Sequence, residues 1–160
     1  MSKSRFAQTV HVVNAVTSPA TLDDIFNTGL VTDVINLSNY DKVTWILTKN
    51  AGAVGTATIK VESCDTVAPG VATAIPFSYW VCTSGDTFGD MQAATASGFA
   101  TTAGANQIYK IEVNSSELSG TNKYVRMTGT EVVNDPCSGS CVAILSGPRF
   151  TSEVPVTAIV

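Results

Sequence analysis

Charged residues are scarce in this chain, and their scarcity excludes several classes of protein. Of 160 residues, nine are Lys or Arg and 13 are Asp or Glu, and the net charge of −4 is spread without blocks. No cluster of Lys or Arg could neutralise a row of phosphates, so we expect no nucleic-acid partner. No stretch approaches the roughly 18 apolar residues of a membrane span, and no signal-peptide run follows the basic start Met1–Arg5. We therefore expect no membrane partner and no secretion by that route.

Residues that could carry chemistry are also few. The one histidine, His11, lies in a short apolar run, far in sequence from any Ser or Cys in a nucleophile's setting. Asp23-Asp24, or Asp86 with Asp90, could serve a glycosidase, and the Asp86–Asp90 run could hold calcium. Turns and solvated loops explain these carboxylates better. The sequence predicts no enzyme, no cofactor and no metal site.

The four cysteines are spaced like neither a zinc ribbon nor a CxxC redox site. Cys137 and Cys141 could close a small loop through a disulfide. Cys64 and Cys82 end two runs that could pair as neighbouring strands, so they form a second possible disulfide. Reduced thiols are an equal alternative, because no signal peptide directs the chain to an oxidising compartment.

The chain does contain alternation of apolar and polar side chains, and this is clearest in Gln107–Val113. There Tyr109, Ile111 and Val113 fall on one side of a predicted strand, and Ile108, Lys110 and Glu112 fall on the other. Further strands are predicted at residues 9–13, 42–48, 56–62, 75–81, 124–128 and 141–145, with weaker runs at 21–26 and 32–37. Turn signals suggest that 42–48 pairs with 56–62, and 107–113 with 124–128, as hairpins.

About eight to ten strands at spacings of roughly 8–12 residues are typical of a sandwich or barrel. We therefore predict an all-β fold, an antiparallel β-sandwich of jelly-roll type, as a single domain over residues 1–160. The apolar tail from Arg149 to Val160 contains Pro155 and has no partner strand in sequence. Such a tail needs a surface to lie on.

Aromatic residues are concentrated around one predicted strand. Tyr79 and Trp80 lie in it, and Phe88 follows closely. Exposed aromatics on a sandwich can bind sugars, so a carbohydrate-binding or host-adhesion module is one hypothesis. A place in the core or in a subunit contact is the favoured interpretation of these side chains.

About the last two-thirds of the chain resembles small structural proteins encoded among the head genes of tailed bacteriophages and prophages. The residues that carry this resemblance are Ala105–Leu118, Tyr124-Val-Arg126, Thr130-Glu131, Asp135-Pro136, Leu145–Phe150 and Pro155–Ile159. They are spaced strand residues and turns, without a catalytic motif. The turn Cys137-Ser-Gly-Ser-Cys141 departs from the pattern.

The resemblance implies a capsid decoration or cement protein, made in the host cytoplasm and located on the outer capsid surface of the virion. Its expected partners are the major capsid protein and further copies of itself, as a dimer or trimer. The termini, residues 1–9 and 149–160, are then candidate interchain arms. The tail residues expected at interchain contacts are Arg149, Phe150, Val154, Val156 and Ile159.

Overall fold

The computed structural model describes residues 6–16, 24–149 and 157–159. Its strands are β1 (Val10–Asn14), β2 (Leu30–Val31), β3 (Ile35–Asn36), β4 (Tyr40–Lys49), β5 (Thr56–Cys64), β6 (Ala72–Ile75), β7 (Phe77–Cys82), β8 (Gln92–Ala94), β9 (Phe99–Ala100), β10 (Gln107–Asn114), β11 (Tyr124–Val133) and β12 (Gly139–Pro148). A four-residue helix, α1 (Phe6–Thr9), precedes β1, and a 3-10 turn, Ser115–Glu117, follows β10. No helix within these ranges is long and apolar enough to cross a bilayer.

The strands form two antiparallel sheets that pack against each other. The front sheet has the order β1-β12-β4-β10-β7-β8, and the back sheet has the order β2-β11-β5-β6, with β3 paired to β11 and β9 paired to β5. Every strand pairing is antiparallel. The predicted all-β, antiparallel sandwich is confirmed.

The core lies between the sheets and follows the predicted alternation. On β10, Tyr109, Ile111 and Val113 are fully buried, and on β4 the same is true of Val43 and Trp45. The back sheet contributes inward-facing residues from β5 and β11, which are Ala57, Ile59, Val61, Val125 and Met127. Each large apolar side chain removed from water in this way stabilises the fold by about 1.5–3 kcal/mol.

Both predicted hairpins are wrong, because consecutive strands enter different sheets. β4 lies in the front sheet between β12 and β10, whereas β5 lies in the back sheet beside β11. β10 and β11 are divided between the sheets in the same way. Alternation identifies a strand and its buried side but not the strand beside it. The assumption that strands consecutive in sequence pair with each other was therefore wrong.

The predicted strand at residues 75–81 is two strands that meet at Pro76. Ile75 ends β6 and pairs with Val61 in the back sheet, whereas Phe77 begins β7 and pairs with Ala94 in the front sheet. Proline has no amide hydrogen to donate to a ladder, so it favours the point where the chain leaves one sheet. The chain therefore passes between the two sheets within one residue.

Candidate interaction face

The solvent side of the front sheet, here called the front face, carries an unusual number of apolar side chains. They are the outward members of the alternation on five strands: Val12, Ile46, Trp80, Ile108, Val142 and Ile144. Val12 is 54% exposed, and the other five are partly exposed. Among the described residues, no strand or helix lies across this side of the sheet, and Phe88 of the loop after β7 contacts it beside Lys110.

The register of the strands places the front-face residues side by side. Ile46 on β4 lies opposite Val142 on β12, and Ile144, two residues further along β12, lies opposite Val12 on β1. Opposed side chains in a sheet have their Cβ atoms about 4.5–5.5 Å apart. The apolar residues therefore form a continuous surface that extends from the β1 edge to the middle of the sheet.

The charged groups on the front face have local partners. Lys42 Nζ lies 3.2 Å from Glu112 Oε1, and the hydroxyl of Thr44 donates to Glu112 Oε2 at 3.1 Å. Lys110 Nζ lies 4.0 Å from the ring centroid of Phe88 and 5.1 Å from that of Trp80. A face with paired charges and exposed aliphatic groups suits a neutral protein surface better than a polyanion.

The solvent side of the back sheet has a different composition. The outward residues of β5, and of β11 as far as Thr130, are polar or charged: Thr56, Thr58, Lys60, Glu62, Tyr124, Arg126, Thr128 and Thr130. Exposed large apolar residues on the described strands of this sheet are confined to β2 and the end of β11, where they are Val31, Val132 and Val133. Glu62 and Arg126 form an ion pair across the two strands, with Nε and Oε2 2.7 Å apart. Water hydrates hydroxyl and charged groups well, so this side of the back sheet is stable when exposed to solvent. The contrast identifies the front face as the candidate functional site.

The three aromatic residues considered for sugar binding do not share one surface. Tyr79 points inward, where its ring stacks on Phe99 at a centroid distance of 3.9 Å. Trp80 points outward and lies with Phe88 around Lys110. The structure thus brings Trp80 and Phe88 together and separates Tyr79 from them.

The C-terminal candidate contacts have different environments. The Arg149 guanidinium donates to the Ser115 hydroxyl at 3.0 Å and lies 3.7 Å from the Asp41 carboxylate. Ile159 forms a bridge with Ile35 of β3, and the neighbouring Ala158 is buried in the core. The ends of this predicted arm therefore contact their own chain. Phe150, Val154 and Val156 lie outside the described residues.

The N-terminal candidate arm is described from Phe6 onward. Phe6 begins α1 and is 66% exposed, beside the edge strand β1. Residues 1–5 lie outside the described residues. A contact of this segment with another chain stays a prediction.

All four cysteines are buried free thiols in the structure, so neither possible disulfide is formed. Cys64 ends β5 of the back sheet and Cys82 ends β7 of the front sheet, so the prediction that they lie on neighbouring strands is wrong. Burial raises the pKa of the Cys64, Cys137 and Cys141 thiols above the ordinary value. Such thiols are poor nucleophiles, because the reactive thiolate is disfavoured.

The histidine and the described carboxylates among the catalytic candidates have separate environments, and Asp23 lies outside the described residues. The His11 ring stacks on Tyr40 at 6.1 Å, and Asp24 accepts hydrogen bonds from the amides of Phe26 and Cys137. Asp86 lies in an exposed loop. Within the described ranges, no group of three or more His, Cys, Asp or Glu residues is arranged to hold a metal ion.

A buried polar cluster at one end of the sandwich was missed by the sequence analysis. Lys49 Nζ donates to the carbonyl oxygen of Thr102 at 3.0 Å, and the Gln107 side-chain amide donates to the Thr102 hydroxyl at 3.0 Å. Burial lowers the pKa of Lys49 and raises that of the adjoining Tyr109. The signal was present in the sequence, since a period of two continued beyond Leu47 places Lys49 on the buried side.

No protein-family model, no curated protein and no solved structure matches this chain. The front face, the docked chain end and the buried polar cluster are therefore interpreted from their own chemistry. Of the three, only the front face presents groups to a large partner.

Proposed function

We propose that this protein is a structural component of a bacteriophage virion, a head decoration or cement protein that binds the outer surface of the capsid. It contacts the major capsid protein through the front face and stabilises contacts between neighbouring capsid subunits. The observation that carries the proposal is the contrast between the apolar front face and the polar back face. The resemblance of residues 105–159 to phage head proteins supplies the class of partner.

The dimensions of the front face fit this role. A six-stranded sheet is roughly 24 Å wide between its outer strands, since adjacent strands lie about 4.8 Å apart. With a height of roughly 25 Å, the face offers on the order of 600 Å². A standard interface buries about 800 Å² per partner, so the face would supply most of one. Many copies around a shell would stabilise it through modest contacts, without catalysis.

The test compares one substitution on each side of the sandwich. Ile46→Lys places a charge in the middle of the front face, and Thr58→Lys places the same charge on the back face as the matched control. We expect Ile46→Lys to lose most of its binding to capsids that lack this protein, and Thr58→Lys to bind like wild type. Co-sedimentation with capsids measures occupancy, and thermal unfolding confirms that both variants fold. Equal binding by the two variants would contradict the assignment of the front face.

The alternative is a carbohydrate-binding or host-adhesion module, and the exposed pair of Trp80 and Phe88 is the observation that favours it. In that case a glycan array would give a signal that Trp80→Ala removes and Tyr79→Phe retains. A cement protein gives no glycan signal in any variant. The array therefore separates the two proposals without capsids.

A further inference from the structure

We propose that β1 is a dimerisation edge, where the same strand of a second copy of this chain adds antiparallel across the front sheet. The proposal goes beyond the function proposed above, because it concerns a contact between copies that needs no capsid. It rests on the open hydrogen-bonding groups of β1, on its composition and on its symmetry.

Backbone groups of β1 alternate between the sheet and the open edge. The amide of Ala15 donates to the carbonyl oxygen of Cys141, and the pairing of β1 with β12 continues in unbroken register to Val10. In an antiparallel pair, only every second residue bonds to the neighbouring strand. Val13 and His11 therefore bond to β12, whereas Val10, Val12 and Asn14 point their amides and carbonyls away from it.

No described strand pairs with the outer side of β1. The amide of Val10 closes the turn of α1 through an i to i−4 bond to Phe6, so the open groups are the carbonyl of Val10 and both backbone groups of Val12 and Asn14. The other outer strands are shorter: β6 has four residues, β8 has three and β2 has two, whereas β1 has five. Monomeric proteins protect their edges with Lys, Pro, bulges or very short strands. The sequence Val-His-Val-Val-Asn of β1 contains none of these devices.

The strand is complementary to itself. A two-fold axis through Val12, perpendicular to the sheet, sets Val12 opposite its copy and Val10 opposite Asn14 of the second chain. The outward groups that remain open then form about four hydrogen bonds. No charged side chain lies in β1, so the pairing meets no like-charge repulsion.

The symmetry also explains the exposed side chain of Val12. Such an axis keeps the same side of the sheet outward in both copies, so the two Val12 side chains pack against each other on the front face. The two front faces then become one surface, continuous through Ile144 and Val12 of each copy. A capsid partner would contact twice the area on the dimer.

The edge can be blocked without disturbing β12. Val12→Pro removes an amide that points away from the sheet, a position where proline is tolerated. Two hydrogen bonds of about 1 kcal/mol each are lost per dimer, so we expect the dissociation constant to rise about 30-fold. Ala72→Pro is the matched control, because Ala72 has the corresponding outward position on the edge strand β6. Val12→Lys blocks the edge with charge and retains the amide.

Sedimentation velocity over a range of concentrations measures the oligomeric state, and hydrogen exchange reports on the amides of Val12 and Asn14. We expect wild type and Ala72→Pro to dimerise, and Val12→Pro and Val12→Lys to be folded monomers. In the wild-type dimer these two amides exchange slowly, and in the Val12→Lys monomer the same positions exchange quickly. If Val12→Pro does not fold, Val12→Lys decides the question. A wild-type monomer at every concentration, or a Val12→Lys variant that still dimerises, overturns the proposal.

Discussion

The hydroxyl of Tyr109 donates a 2.7 Å hydrogen bond to Gln107 Oε1, two residues earlier on the same buried side of β10. The Tyr109 oxygen also accepts from the amide of Thr102 at 3.0 Å. One hydroxyl thus satisfies a donor and an acceptor inside the sandwich.

We therefore expect Tyr109→Phe to reduce the free energy of unfolding by about 1–3 kcal/mol, because both partners lose a bond that buried groups cannot replace with water. Tyr79→Phe is the control, since its hydroxyl bonds to Gln92 at the surface. Its effect should remain within about 0.5 kcal/mol. Urea denaturation of both variants measures the difference, and equal losses would refute the role of the buried hydroxyl.

The buried thiols predict a loss of stability in alkaline solution. Burial raises the pKa of Cys141, so the folded chain keeps this proton while the unfolded chain releases it above about pH 8.5. Folding stability is therefore retained below that pH and decreases above it, by at most about 1.4 kcal/mol per pH unit for each thiol. Lys49, with its lowered pKa, contributes a slope of opposite sign up to about pH 10.4.

Cys141→Ala isolates the contribution of one thiol. We expect the difference in stability between wild type and this variant to shrink steadily above about pH 8.5. Val113→Ala, a core truncation without a titrating group, should give a difference that does not vary with pH. Chemical denaturation under reducing conditions measures the free energy of unfolding of wild type and both variants as a function of pH. A Cys141→Ala curve that runs parallel to the wild-type curve would contradict the buried-thiol explanation.

Gly52 lies where two loops meet. Its φ is +81°, and a Cβ atom there would collide with the carbonyl oxygen of Pro136. We expect Gly52→Ala to lower the stability by about 2–5 kcal/mol, from backbone strain and from the displaced loop. Gly120 has φ +60° and no atom within 4 Å of an added Cβ, so Gly120→Ala tests the strain alone. We expect Gly120→Ala to lower the free energy of unfolding by about 1 kcal/mol. Equal melting temperatures for the two variants would contradict the predicted clash at Gly52.

The chain end gives a test of where the tail binds. Asn36 donates its amide to the carbonyl oxygen of Ala158 at 2.8 Å, and Ala158 is buried whereas Thr157 is exposed. We expect Ala158→Asp to destabilise the purified protein by about 3 kcal/mol or more, since a charge would be buried without a partner. Thr157→Asp should have little effect. An Ala158→Asp variant of normal thermal stability would show that these residues do not dock on their own sheet in solution.

Alternation was sufficient to predict the long strands β4, β5, β10 and β11. The strands of two or three residues, β2, β3, β8 and β9, are too short to show a period. Tyr109, Ile111 and Val113 were placed correctly because a period of two allows only two sides. The partners of each strand were not predictable in this way, since β4 and β10 are neighbours although about 60 residues separate them along the chain. Register between such strands is set by packing of the whole sandwich, which no local pattern encodes.

The candidate face was only partly visible in the sequence. The run at 42–48 is apolar on both sides, with Ile46 opposite Val43 and Trp45, and this is the pattern of a strand covered twice. The sequence did not indicate that Ile46, Val142 and Val12 come together, because they lie on strands from three distant parts of the chain. The cation–π contacts of Lys110 with Trp80 and Phe88 also depend on the arrangement of strands and loops in space.

The short crossing at Pro76 has a mechanical consequence. Ile75 and Phe77 are anchored in opposite layers, and two steps of about 3.8 Å between Cα atoms are all that separates them. One layer therefore cannot slide far over the other without breaking ladder bonds. A load applied to one layer is therefore transmitted to the other through this tether.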